Sequence, residues 1–292
     1  MSALLRVAFL ALLASAWAAT SRAADSPFRD IQRILNNKRL VVALLARDVA
    51  PMIMTDKARQ PIGFEVDLAR DIGKKLGVTV KFVRTAKTYD AVVDMVARRQ
   101  ADIAVSFLSR SVERAKKVYF SDPYIEQGAL VIYNRVGWAK LRERFPQLEK
   151  IRQITNTEAV ATVELAVLKG SVYATRIVRE LPQVQIRTYD RFAEIMAAVK
   201  SGEVLVAYHG EVQIQYYMRQ HPETAIYVGI DPLVLTHGDI GIAVRPDAPN
   251  LLRWLNIYLA NHVGTLDAKG VLQRYEELQA EKLSEKNQIG KK

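Results

Sequence analysis

No cysteine occurs among the 292 residues, and that absence excludes a disulfide scaffold, a thiolate nucleophile, a thiolate zinc site and lipid attachment at an N-terminal Cys. Histidine is scarce: His209, His221, His237 and His262 are all there are. The sequence also has no Gly-x-Ser-x-Gly elbow, no His-Glu-x-x-His helix and no phosphate loop, so no dedicated catalytic arrangement stands out and neither a metal nor a cofactor is expected. Acidic residues are in the minority, 31 against 42 basic ones, for a formal charge of +11. The excess is scattered, with no basic run longer than pairs such as Lys74-Lys75 and Lys116-Lys117. A nucleic-acid-binding stripe is therefore not indicated.

What is present is the make-up of an ordinary globular protein, 50% hydrophobic and 25% charged, with length enough for two domains. Residues 1–24 carry Arg6, run apolar from Val7 to Ala19 and end in small residues around Ser21 and Ala23. The apolar stretch falls short of the roughly 20 residues a membrane span needs, so it reads as a cleavable secretory signal. A buried N-terminal helix is the alternative. Cleavage near Ala24 or Asp25 sends the mature chain to the periplasm without a membrane anchor of its own.

Leu40 to Leu45 forms a short apolar run, and Phe64, Leu68, Ile72 and Leu76 recur every four residues as an amphipathic helix. Val78, Val80 and Phe82 then alternate with polar neighbours, giving the helix, Gly77, strand order of an α/β layer with a parallel sheet. A second helix is expected at about 89–98, with a buried strand over 101–105. Shifting the sequence by 103 positions lays Tyr89, Val92, Val93, Val96, Ala101, Ile103 and Ala104 over Phe192, Ile195, Met196, Val199, Val204, Val206 and Ala207. Two similar lobes would leave a cleft between them, a common place for small ligands. Runs starting at Gly128 and Gly238 bracket the second copy and read as two hinge strands, or as plain core strands. From 134 to 163, Trp138, Leu141, Phe145, Leu148 and Ile151 trace an apolar helical stripe that Pro146 should kink or split. That stripe is either a cover packed on the lobe or a docking surface for a partner. The charged tail after Gln279 reads as a frayed, solvated end.

Gly63 to Ala69, Ala101 to Ser106, Ser109 to Arg114, Phe120 to Tyr124, Lys169 to Ser171 and Gly241 to Arg245 occur in the order seen in family 3 extracellular solute-binding proteins, which the chain resembles from about Leu40 to Glu277. The resemblance implies a two-lobed type II periplasmic-binding-protein fold of the α/β class with a hinge of two crossing strands. Lobe I would comprise 25–131 and 240–292, and lobe II 132–239. It also implies a monomeric receptor that captures a polar amino acid or related acid and hands it to the membrane permease of an ABC transporter.

Carried over residue by residue, the resemblance makes Arg114 the grip on the ligand carboxylate, with Ser106 and Ser109 supplying hydroxyl or backbone donors. Two parallel N–H donors on a guanidinium suit a carboxylate. Read alone, Ser111 caps a short helix and Arg114 is a solvated residue in its first turn. Gly170 and Ser171, before a helical stretch over 172–180, would complete the clamp through free amides at the helix start, or merely cap that helix. Tyr89 stands where the resemblance places an aromatic platform, though an ordinary core aromatic fits the helix pattern as well. Val49 occupies the other aromatic position. The acid expected to hold a ligand ammonium is absent: the strand after Gly202 runs from Val204 to His209 and is followed by Gly210 and Glu211. Either Glu211 takes over or the ligand has a carboxylate and no α-amino group. His209 lines the pocket or is a hydrogen-bonded core residue. Two competing functions remain open, a solute-sensing accessory protein for a membrane receptor and an enzyme on the same fold like the cyclohexadienyl dehydratases.

Overall fold

The computed structural model describes residues 28–231 and 237–289. The export signal expected at 1–24 lies outside them. The chain supplies β1 (Arg39–Leu45), a small ribbon of β2 (Met54–Thr55) and β3 (Pro61–Ile62), β4 (Thr79–Ala86), β5 (Ile103–Ala104) and β6 (Tyr119–Phe120). It then continues through β7 (Ile125–Asn134), β8 (Glu164–Leu168), β9 (Gln185–Tyr189), β10 (Val206–Gly210) and β11 (Val228–Asp231), and returns through β12 (His237–Ile240) and β13 (Ala243–Val244). Two sheets result. The first runs β4-β1-β5-β13-β6, and the second runs β11-β7-β10-β8-β9 with β12 also on β7.

Local chemistry sets these elements. The helix Phe64–Leu76 buries Phe64, Val66, Leu68, Ile72 and Leu76 and stops at Gly77, whose φ of +68° closes the last turn. Thr88 caps the helix Tyr89–Ala97 by accepting the Ala91 amide at 3.1 Å. The repeat is visible in space: the helix Phe192–Ser201 and β10 stand in the second lobe as Tyr89–Ala97 and β5 stand in the first. In both sheets the strands flanking this helix pair in parallel, β1 with β4 and β5, and β10 with β8 with β9, which is the arrangement α/β crossovers produce.

β7 and β12 pair antiparallel, Gly128 opposite His237 and Ile125 opposite Ile240. They form the two-stranded connection between lobes, with Ile240 at its end, whereas Val131 lies further along β7, paired with Tyr208 and Asp231 in the second sheet. β13 then rejoins the first sheet beside β5.

The stripe over 134–163 is split at Pro146, as that residue predicts. Helix Arg135–Arg144 ends before Pro146, and 3-10 turns at Ile151–Asn156 and Glu158–Thr162 follow, because proline cannot continue an α-helix and disfavours helix in the residue before it. Leu148, Ile151, Ile154, Ala159 and Val160 are buried in the second lobe's core, with Trp138, Leu141 and Phe145 packed on it, so the segment is a cover. The tail is not frayed at Gln279: the helix runs Ala268–Ile289 and Lys282 reaches Asp67 at 2.6 Å.

Candidate functional site

On the first lobe, the chain after β5 is held by a buried carboxylate. Glu65 is fully buried, and it accepts the Phe107 amide at 2.7 Å and the Tyr124 hydroxyl. Burial pushes its pKa up to about 7, against the lowering effect of those two donors. Phe107 consequently sits at φ +50°, a conformation non-glycine residues seldom adopt. The turn leads to the short helix Val112–Ala115, where Ser111 accepts the Arg114 amide at 3.3 Å. Ser111 is thus a cap, but Arg114 is not solvated, its side chain being 8% exposed.

The Arg114 guanidinium donates from Nε to Asp90 at 2.9 Å and from Nη1 to the Ser109 carbonyl at 3.0 Å. Nη2 has no hydrogen-bond partner among the described residues. Asp90 is 67% exposed, so water weakens its neutralising effect. The guanidinium carbons of Arg114 and Arg47 lie 5.9 and 5.5 Å from the centroid of the Tyr89 ring. The expected platform therefore carries two cations on its surface.

On the second lobe, Ser171 caps the helix Val172–Glu180 by accepting the Ala174 amide at 3.2 Å, and its hydroxyl donates to the Leu168 carbonyl at 2.7 Å. The amides of the first helical turn are left without intrahelical acceptors. Gly170 takes φ +69° just before it, which fits glycine. His209, on β10, stacks on Phe192 at 4.4 Å and pairs through Nε2 with Gln213 Oε1 at 2.6 Å. Its Nδ1 is buried and has no hydrogen-bond partner among the described residues. Burial, which disfavours the charged ring, lowers the His209 pKa to about 4. From the hinge, Gln127 Oε1 accepts the Val212 amide at 3.2 Å.

These groups line a space of about 330 Å³ between the lobes, open to solvent on one side. Tyr89, Phe107, Ser109 and Arg114 face Leu168, Ser171, Val172, Tyr173, His209 and Gln213 across it, with Gln127 between. A wider space of about 1200 Å³ continues outward past Arg114 and Ser171, lined also by Asp90, Gly170 and Asp239. Among the described residues no group of three or more His, Asp or Glu could hold a metal ion.

Of the residues singled out from sequence, Arg114, Ser109, Tyr89, Ser171 and His209 meet at the inner cavity and Gly170 at its mouth. Ser106 and Glu211 do not line either space. Ser106 is fully buried, its hydroxyl accepting the Leu45 amide at 2.8 Å, and Glu211 binds Gln215 and packs toward Gly128. Gln127, Tyr173 and Gln213 were missed. One signal was available: Gln127 immediately precedes the hinge glycine.

Residues 41–275 match the bacterial extracellular solute-binding proteins of family 3. The chain belongs to that family. Within it, the chain is 25% identical over 215 residues to ABC transporter arginine-binding protein 1 of Escherichia coli, spanning 73% of this chain and 79% of that one. The fold superposes on a putative ABC transporter binding component from Wolinella succinogenes complexed with lysine, with a TM-score of 0.68 and 26% identity over 82% of this chain and 95% of that one. It also superposes on an ancestral amino-acid-binding protein described as a precursor of cyclohexadienyl dehydratase, at TM-score 0.65 and 27% identity over 84% and 98% of the two chains. The family 3 fold is thus the two-lobed one read from the sequence.

Proposed function

We propose that the protein is the periplasmic receptor of an ABC importer, capturing a small carboxylate-bearing solute between its lobes and presenting the closed form to a membrane permease. The observation that carries this reading is the Arg114 guanidinium, buried at the interlobar cavity with one nitrogen uncommitted, opposite a helix start on the other lobe. A carboxylate placed there collects charge-assisted bonds of roughly 1.5 to 3 kcal/mol each and amide donors that favour an anion. Because those donors belong to different lobes, the ligand stabilises the closed form by as much as it binds that form more tightly than the open one. Micromolar affinity corresponds to about 8 kcal/mol, within reach of one such grip plus partial apolar burial.

A secretory signal at 1–24, the extracellular character of the family and the absence, among the described residues, of any helix long and apolar enough to cross a membrane support the periplasmic address. A thermal-shift screen of amino acids, dicarboxylates and related monocarboxylates tests the reading. A ligand at 100 times its Kd adds about 2.7 kcal/mol of stability, and Arg114→Ala removes that gain while the variant stays folded. A variant that responds like the parent contradicts it. Turnover of a prephenate-like acid by the purified protein would support a dehydratase instead.

A further inference from the structure

Resting on the carboxylate reading above, we infer that the natural solute is an organic acid that carries no ammonium group. Among the described residues around the inner cavity, Arg114 alone bears a charge at neutral pH, and no carboxylate is among them. Gln127, Gln213, His209 and the hydroxyls of Tyr89, Ser109, Ser171 and Tyr173 supply the remaining polar side chains, all neutral. A second cation, Arg47, lies beside the Tyr89 ring with its Nε buried and without a partner. The cavity therefore carries net positive charge, with Arg114 Nη2 as an uncommitted donor. A buried ammonium would lose its hydration and meet cations, and only an acid or a full set of acceptors offsets that loss.

The position of the missing acid is taken by neutral side chains. At the end of β10, where Gly210 has no side chain, a Cβ would lie 2.7 Å from the Tyr173 hydroxyl and 3.0 Å from Gln127 Oε1. Two neutral groups already fill that position. Glu211, the next acid along the chain, is turned to Gln215. Asp90, Glu113 and Asp239 line only the outer space, beside Arg110, Arg176 and Arg179, and Asp90 is engaged by Arg114. With Nε2 donating to Gln213 Oε1, the neutral His209 ring presents Nδ1 as an acceptor, buried and without a partner among the described residues, which suits a ligand hydroxyl.

Matched pairs isolate the ammonium. The purified protein is titrated calorimetrically with the common α-amino acids and with their deamino counterparts, such as glutamate against glutarate, leucine against 4-methylpentanoate, and phenylalanine against 3-phenylpropanoate. The expected result is that at least one deamino acid binds at micromolar Kd and at least tenfold more tightly than its amino partner. Gln127→Glu keeps the acceptor for Val212 while placing a carboxylate in the cavity, and it should narrow or reverse that preference. An amino acid that binds the parent more tightly than its deamino counterpart overturns the inference and leaves the carboxylate receptor standing. Absence of binding across the whole series overturns both.

Discussion

Two buried titratable side chains connect the site to pH with opposite signs. Glu65 is raised above its unfolded value of 4.5 to about 7, so its contribution is complete below pH 4.5 and is lost as pH climbs toward 7. His209 is lowered from 6.5 to about 4, so its contribution is present above 6.5 and is lost as pH falls through 4. Comparing thermal stability of the parent with Glu65→Gln should show the parent's relative stability falling between pH 4.5 and 7, by a total on the order of 3 kcal/mol. A difference that stays flat across that window would mean that the carboxylate titrates normally. The residue scale is also where sequence reading met its limits. Arg114 was legible because its place after a serine-rich turn resembles a known grip, whereas the amide acceptance that removes Ser106 joins the end of β1 to the chain just past β5, across 61 positions. Glu211 was displaced by the onset of its own helix, which points its carboxylate at Gln215 one turn on.

Elements were more readable than contacts. The four-residue recurrence from Phe64 to Leu76 and the repeat at a shift of 103 found their helices because each apolar stripe has a sheet to cover. The strand expected over 101–105 shrinks to Ile103–Ala104 because Asp102 turns its carboxylate to the Val41 amide at 2.9 Å and to Arg33 and Arg245. The 134–163 cover begins at Asn134, which caps its helix by accepting the Gly137 amide at 2.7 Å and donates to the Val199 carbonyl at 2.9 Å. Asn134→Ala should lower stability by about 2 kcal/mol in urea unfolding, from the lost cap and the orphaned carbonyl, with ligand affinity unchanged. A loss of affinity with intact stability would instead make this segment part of the binding apparatus.

At the scale of the whole molecule, the lobes meet across a cavity whose walls come from segments far apart in sequence, held by the β7–β12 ribbon. Arg47 bridges them directly by donating to the Asp190 carbonyl. A ligand that adds bonds on both sides shifts the population toward this closed arrangement, so small-angle scattering should show the radius of gyration decreasing when a ligand from the screen is added. An unchanged radius would detach binding from closure. The central claim is narrower: one guanidinium reads a carboxylate. Its most direct test is to titrate the parent and Arg114→Ala with the best-binding acid and with the carboxamide of the same skeleton. The account predicts that the parent prefers the acid by at least 100-fold and that the variant binds acid and amide about equally, whereas a variant that still prefers the acid by the parent's margin would contradict it.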